Sequence, residues 1–160
     1  MPVEEGKSAP LFTLENQDGD KVALKDLKGR MVVVYFYPKD DTPGCTKEAC
    51  GFRDLWGEIS ETGAAVLGIS PDDVASHRTF ASKYELPFTL LADPNHKVME
   101  KYGAWGEKNM YGRKSMGVIR STVLIGPDGK VVKHWKRVTR AADHPAKVLE
   151  EIRRHTDAAA

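Results

Sequence analysis

The sequence predicts an α/β fold in which a central mixed β-sheet is flanked by helices, and three observations carry the prediction. Short apolar runs rich in β-branched residues alternate with stretches of helical periodicity. Two further stretches, one towards each end, are split by Gly- and Pro-containing turn signals into hairpins. The chain has 160 residues, 41% hydrophobic and 29% charged, with no linker, internal repeat or low-complexity segment before its terminal alanines. That describes one domain, residues 1–160, long enough to bury roughly 70% of its unfolded surface.

Taken in order, "LFTLENQDGDKVALKDL" reads as a hairpin turned at Asp18-Gly19-Asp20. "MVVVYFYP", Met31 to Pro38, is the near-continuous run of a strand buried on both faces. Phe52, Leu55, Trp56 and Ile59 follow the i, i+3, i+4, i+7 spacing of an amphipathic helix. "AAVLGIS" is a second buried strand, "DDVASHRTFASKYEL" a helix, "FTLLADP" a strand and "NHKVMEKYGAW" a short helix. "STVLIGPDGKVVKHW" is a hairpin turned at Pro127-Asp128-Gly129, and "HPAKVLEEIRRHT" closes the chain as a helix with Val148, Leu149 and Ile152 on one side. Alternation of strand and helix implies a mostly parallel sheet with helices on both faces, the late hairpin adding antiparallel edges. Strand–helix–strand early and strand–strand–helix late is the order of a thioredoxin-like fold, here with an N-terminal β-hairpin extension.

Composition removes several classes of function. Lys+Arg 24 against Asp+Glu 23 leaves a formal charge of +1, so nothing in the charge balance attracts nucleic acid or an anionic membrane. The opening "MPVEEGKSAP" lacks the basic-then-apolar pattern of a signal peptide, and no apolar run has membrane-spanning length. A cytoplasmic location is expected, where thiols stay reduced and disulfides are transient. Five histidines, His77, His96, His134, His144 and His155, are scattered without metal-binding spacing and read as surface residues. No metal site and no cofactor are expected.

The two cysteines, Cys45 and Cys50, lie in one stretch, "YFYPKDDTPGCTKEACGF". Thr42 suits the N-cap of a helix and Pro43 its first position, which puts Cys45 in the first turn beside free backbone N–H groups. Helix N-termini favour the thiolate, the nucleophilic form of cysteine. Five residues of helix separate two Cα atoms by roughly 8–9 Å, whereas a disulfide tolerates about 7 Å. Either the thiols never pair or the helix start unwinds when they do. Pro43, Gly44 and Gly51 bracket the segment and ease unwinding. A reactive thiolate with a second thiol one local unfolding away is a redox arrangement, in which Cys45 becomes a sulfenic acid and Cys50 condenses with it.

Pro38, Thr42 and Cys45 match the P-x-x-x-[T/S]-x-x-C pattern of the peroxiredoxins. Cys50 stands where the PrxQ, or bacterioferritin comigratory protein, type carries its resolving cysteine. "WGEKNMYGRKSMGVIRSTVLI" resembles a later segment of the same type, and the similarity runs nearly end to end. The resemblance implies a thiol-dependent peroxidase that reduces hydrogen peroxide and organic hydroperoxides. Cys45 would be the peroxidatic nucleophile, Thr42 would orient the peroxide, and Pro38 would shield the thiol from water. On local grounds alone, Thr42 is an N-cap and Pro38 a strand terminator. Arg120 shares alternating strand positions with Val118, Thr122 and Leu124, which by itself reads as a solvated strand end. With the motif it supplies a fixed cation for the thiolate and the departing oxygen. Glu48, one turn beyond Cys45, is the candidate for orienting it. The resemblance also implies recycling by thioredoxin or a similar dithiol. Both cysteines belong to one chain, so a monomer suffices.

Rival readings explain less. A cysteine hydrolase needs a histidine base, for which only His134 offers itself, and leaves Cys50 unexplained. A disulfide reductase would carry C-x-x-C. A redox-sensing module using the same two cysteines would turn peroxide over slowly or not at all. Basic and aromatic residues between Lys101 and Gly117 (Trp105, Lys108, Tyr111, Arg113, Lys114) could bind single-stranded nucleic acid, but a loop walling the peroxide pocket is the better reading.

Overall fold

The computed structural model describes residues 3–110 and 112–157. Tyr111, part of the basic-aromatic segment, lies outside them. The N-terminal hairpin forms from β1 (Thr13–Asn16) and β2 (Lys21–Ala23), the side chain of Asn16 accepting the amides of Asp18 and Asp20 across the turn. A single 3-10 turn, Leu24–Leu27, leads to β3 (Val32–Phe36). Then follow α1 (Pro43–Asp54), α2 (Trp56–Glu61), β4 (Ala65–Ser70), α3 (Val74–Lys83), β5 (Thr89–Ala92) and α4 (Lys97–Lys101). A second hairpin, β6 (Trp105–Met110) and β7 (Arg113–Val118), precedes β8 (Ser121–Ile125), β9 (Val131–Trp135) and α5 (His144–Asp157).

Among the described residues, seven strands make one sheet in the order β2-β1-β5-β4-β3-β8-β9, while β6 and β7 pair only with each other. The sheet is mixed rather than mostly parallel. Only β3–β4 and β4–β5 run parallel among the described residues. Those are the two steps where a helix crosses the sheet between strands, as a parallel connection requires. Turns join β1 to β2 and β8 to β9, which forces those pairs antiparallel, and β1 extends the sheet by pairing antiparallel with β5.

Strand alternation divides the core into two layers. Val32, Val34 and Phe36 of β3 face one side with Leu67, Ile69, Val123 and Ile125, packed by Phe12, Val98, Met99 and Tyr102. Val33, Tyr35 and Tyr37 face the other with Val66, Leu90 and Leu124, covered by Phe52, Ile59, Phe80, Val148 and Ile152 from four helices. All five residues of β3 are buried, in keeping with its unbroken apolar run. The helical spacing of Phe52 to Ile59 is realised in two pieces. Leu55 has ψ near 4°, which ends α1, and α2 then restores Ile59 to the core beside Phe52.

The expected loop over Lys101 to Gly117 is instead largely the β6–β7 hairpin, in register from Trp105↔Val118 to Met110↔Arg113. Two histidines expected at the surface are inside. His77 and His144 are 0% and 3% exposed, because each side chain finds a polar partner at depth.

Candidate active site

The stretch from Tyr37 to Thr42 links the end of β3 to α1 and so sits where buried strand meets helix start. Thr42 occupies the N-cap with extended φ/ψ, and its carbonyl accepts the first helical bond, from Thr46. Its hydroxyl does not accept an amide, as an N-cap side chain usually does, but donates to the Lys39 carbonyl at 2.8 Å. The neighbouring Asp41 is left-handed (φ 58), which turns the chain back so that this bond can form. Pro43 stands at the first helical position as expected, and the amides of Gly44 and Cys45 precede that first bond.

Cys45 is 1% exposed. The Arg120 Nη2 donates to its Sγ at 3.1 Å, and Nη1 donates to Glu48 Oε1 at 2.8 Å. One planar guanidinium thus bridges two residues a helical turn apart on α1. Arg120 is not on a strand. It occupies the short link between β7 and β8, with its carbonyl accepting the Val138 amide. The residue that looked like a charged strand head is therefore free to swing its side chain over α1. Gly44 permits the approach, since a Cβ there would stand 3.2 Å from Nη2.

Electrostatics at the site follow from depth. Glu48 is fully buried, and burial pushes its carboxyl up to about 7 despite the opposing pull of Arg120. Burial works against the charge on Arg120, but Glu48 and Cys45 outweigh it and leave the guanidinium above its ordinary value. Tyr35 lies beneath the helix, stacked on Phe52 with centroids 4.9 Å apart. Burial, then the negative charges of Glu48 and Cys45, raise its hydroxyl well above the usual range. The Tyr35 hydroxyl and Glu48 Oε2 are both buried without a hydrogen-bond partner among the described residues. Lys108 of β6 is lowered by burial and by the field of Arg120, so the β6–β7 hairpin stands within electrostatic reach of the site.

Of the residues singled out from sequence, Cys45, Arg120 and Glu48 meet directly. Thr42 and Pro38 flank them on the same connection, Pro38 half-buried just beyond β3. Cys50 lies further along the same unbroken helix, half-buried, and both thiols are free. No histidine bonds to Cys45 among the described residues, and His134, the base a hydrolase would need, lies on β9.

Sequence reasoning missed a second buried polar group next to the site. Asp40 accepts from the Tyr37 hydroxyl at 2.6 Å, the Ser76 hydroxyl at 2.8 Å and His77 Nδ1 at 2.7 Å. Its amide donates to Asp72. Asp40, Asp72 and His77 bring ligand-type atoms within 4.8 Å of one another. The facing oxygens already accept from protein donors, so the cluster is organised as a hydrogen-bond network. The only local signal was an acidic pair in "PKDD", which reads equally well as a solvated turn.

A cation touching both a buried cysteine sulfur and a neighbouring carboxylate can stabilise a thiolate and the charge on a leaving oxygen. Comparison with known proteins bears on that chemistry. The AhpC/TSA family matches residues 6–134. A putative peroxiredoxin Bcp of Coxiella burnetii is 50% identical over 95% of this chain and 100% of its own length. The peroxiredoxin Bcp of Bacillus subtilis is 43% identical over 96% of this chain and 97% of its own. Among solved structures, the Xanthomonas campestris bacterioferritin comigratory protein, studied for alkyl peroxide reduction, superposes with TM-score 0.89 at 36% identity over 96% of this chain and 99% of that one.

Proposed function

Because the chain belongs to the AhpC/TSA family and is a peroxiredoxin of the Bcp/PrxQ type, we propose that its thiol peroxidase activity runs through a Cys45 sulfenic acid resolved by Cys50 within the same chain. The observation that carries this reading is the guanidinium of Arg120 at 3.1 Å from the Cys45 sulfur. The Cys45 thiolate attacks one oxygen of the hydroperoxide, forming an S–O bond as the O–O bond breaks. The departing oxygen leaves with the electron pair and takes a proton to become water or an alcohol. Thr42 and the amides of the helix start orient the peroxide, Pro38 limits access of water, and Arg120, oriented by Glu48, stabilises negative charge as it moves from sulfur to oxygen.

The resulting Cys45–SOH then condenses with the Cys50 thiol, forming the disulfide and releasing water. Within α1 the two residues are too far apart to bond, so the first turn unwinds for this step. A dithiol of the thioredoxin type reduces the disulfide and becomes oxidised in turn. Hydrogen peroxide and alkyl hydroperoxides are the proposed substrates, the latter in line with the Xanthomonas relative. One chain holds both cysteines, so the cycle needs no second copy and a monomer suffices.

Steady-state consumption of hydrogen peroxide in the presence of thioredoxin and its reductase tests the reading. Many turnovers per chain, lost in Cys45→Ser, are expected. A single turnover with no recycling would mean a redox switch instead of an enzyme.

A further inference from the structure

The connection carrying Pro38 to Thr42 is fixed at one residue in particular. Asp40 is 8% exposed and is held by side chain and main chain together. Its carboxylate collects the hydroxyls of Tyr37 and Ser76 and the Nδ1 of His77. Its amide donates to Asp72 Oδ2 at 2.8 Å, an oxygen also held by Ser70 at the end of β4. His77 Nε2 stands 2.9 Å from the Leu91 carbonyl, an acceptor only, so Nε2 carries a hydrogen and donates. The 2.7 Å contact of Nδ1 with Asp40 then requires a further proton shared between ring and carboxyl. The network therefore ties the cysteine connection to β4, α3 and the interior strand β5 through buried, charge-assisted bonds. The very next residue, Asp41, is tethered at the surface instead, to Lys83 and Tyr84. Beyond that come Pro43, Gly44 and Cys45.

We propose that Asp40 and His77 are positioning residues: their buried network is the anchor that holds the start of α1 closed over Cys45, and it sets whether oxidised Cys45 is resolved by Cys50 or meets a second peroxide. This rests on the peroxidase reading above. An anchor at this point acts on two steps with opposite sign. Holding the connection keeps Thr42 and Cys45 aligned with Arg120, which speeds the first attack. It also raises the cost of the unwound state that lets Cys50 reach Cys45, which slows resolution. While resolution waits, the sulfenate can attack another hydroperoxide, gaining a second S–O bond as the O–O bond breaks, and the sulfinate and an alcohol or water result.

The test follows thiol, sulfenic, disulfide and sulfinic forms by rapid quench and intact mass after mixing the reduced full-length protein with hydrogen peroxide. Asp40→Ala strands three donors. It should slow oxidation of Cys45 by about tenfold or more, quicken disulfide formation by about tenfold, and lower the sulfinic fraction at a given peroxide. Asp40→Asn keeps an acceptor and can donate to the His77 ring, so it should behave nearly as the unsubstituted protein. If Asp40→Ala does not fold, Ser76→Ala, which removes one donor, should move both steps in the same opposite directions by less. A folded Asp40→Ala that slows both steps alike, an Asp40→Asn equally disrupted, or a Ser76→Ala with unchanged partition overturns the proposal. Absence of rapid Cys45 oxidation in the unsubstituted protein would instead sink the peroxidase reading, and so the two failures are told apart.

Discussion

Arg120 joins Cys45 to Glu48 through two nitrogens of one guanidinium, and both contacts matter for different reasons. In the proposed cycle, the one to sulfur places positive charge where negative charge moves during peroxide cleavage. The one to Glu48 fixes the plane of the guanidinium. Arg120→Met keeps much of the stem volume and loses both contacts. The rate of peroxide-driven Cys45 oxidation should fall by about 10²–10³-fold, the usual loss on removing one such donor. Arg120→Lys should recover only part of it, since a single ammonium cannot serve both partners. An unchanged rate in Arg120→Met, measured by stopped-flow thiol loss, would remove the arginine from the chemistry. At this scale the sequence was informative where residues are near neighbours. Cys45, Thr42 and Glu48 lie within one or two helical turns, and the motif named Arg120 across 75 residues. Asp40 and His77 were silent because their meeting depends on α3 docking beside the connection. A histidine on a helix looks the same in sequence whether it faces solvent or a buried carboxylate.

Along α1 and α2, two helical glycines behave differently. Gly51 was read as a helix weakener that eases unwinding. The fold adds a packing reason: a Cβ there would stand 2.8 Å from Pro145 Cγ on α5. Gly57 of α2 has open space around the same position. Gly51→Ala should therefore destabilise the protein in spite of its better helix propensity, by about 1–3 kcal/mol as overpacking usually costs. Gly57→Ala should stabilise it by about 0.4–1 kcal/mol. Urea denaturation of both variants decides, and stabilisation of both would mean that α1 and α5 are not in close contact. The break at Leu55 was invisible for a related reason. Hydrophobic spacing reports which residues face the core, and Phe52 and Ile59 do so whether the helix is straight or interrupted. The β6–β7 hairpin was hidden because its strands pair only with each other and carry an exposed, polar face without clean alternation.

At the scale of the whole molecule, the layered α/β architecture was legible because buried strands and helical stripes announce themselves locally. Strand direction was less so, since pairing of β1 with β5 is fixed by the assembled sheet. No helix among the described residues is long and apolar enough to cross a membrane. Global stability should carry two opposed pH slopes. Glu48 keeps its proton up to about 7 against an ordinary 4.5, so between those values the unfolded chain has released a proton that the native state still holds, and stability from this group falls as pH rises. His144, buried against Thr122, is lowered to about 4 from an ordinary 6.5. The unfolded chain binds a proton first on acidification, and stability from this group is lost as pH falls through that window. The slopes oppose each other where the windows overlap. Glu48→Gln should unmask a stability that rises with pH, and His144→Gln one that falls, both read by denaturant midpoints across the range. An identical pH profile in all three proteins would contradict the burial of these groups. The most direct measurement is one turnover: reduced protein mixed with one equivalent of hydrogen peroxide, with thiol loss followed beside Cys45→Ser and Cys50→Ser. Rapid loss of both thiols to an intramolecular disulfide, abolished in the first variant and halted at a sulfenic acid in the second, is the expected result. Thiol loss no faster than that of free cysteine would contradict the account, whatever the motif around Cys45.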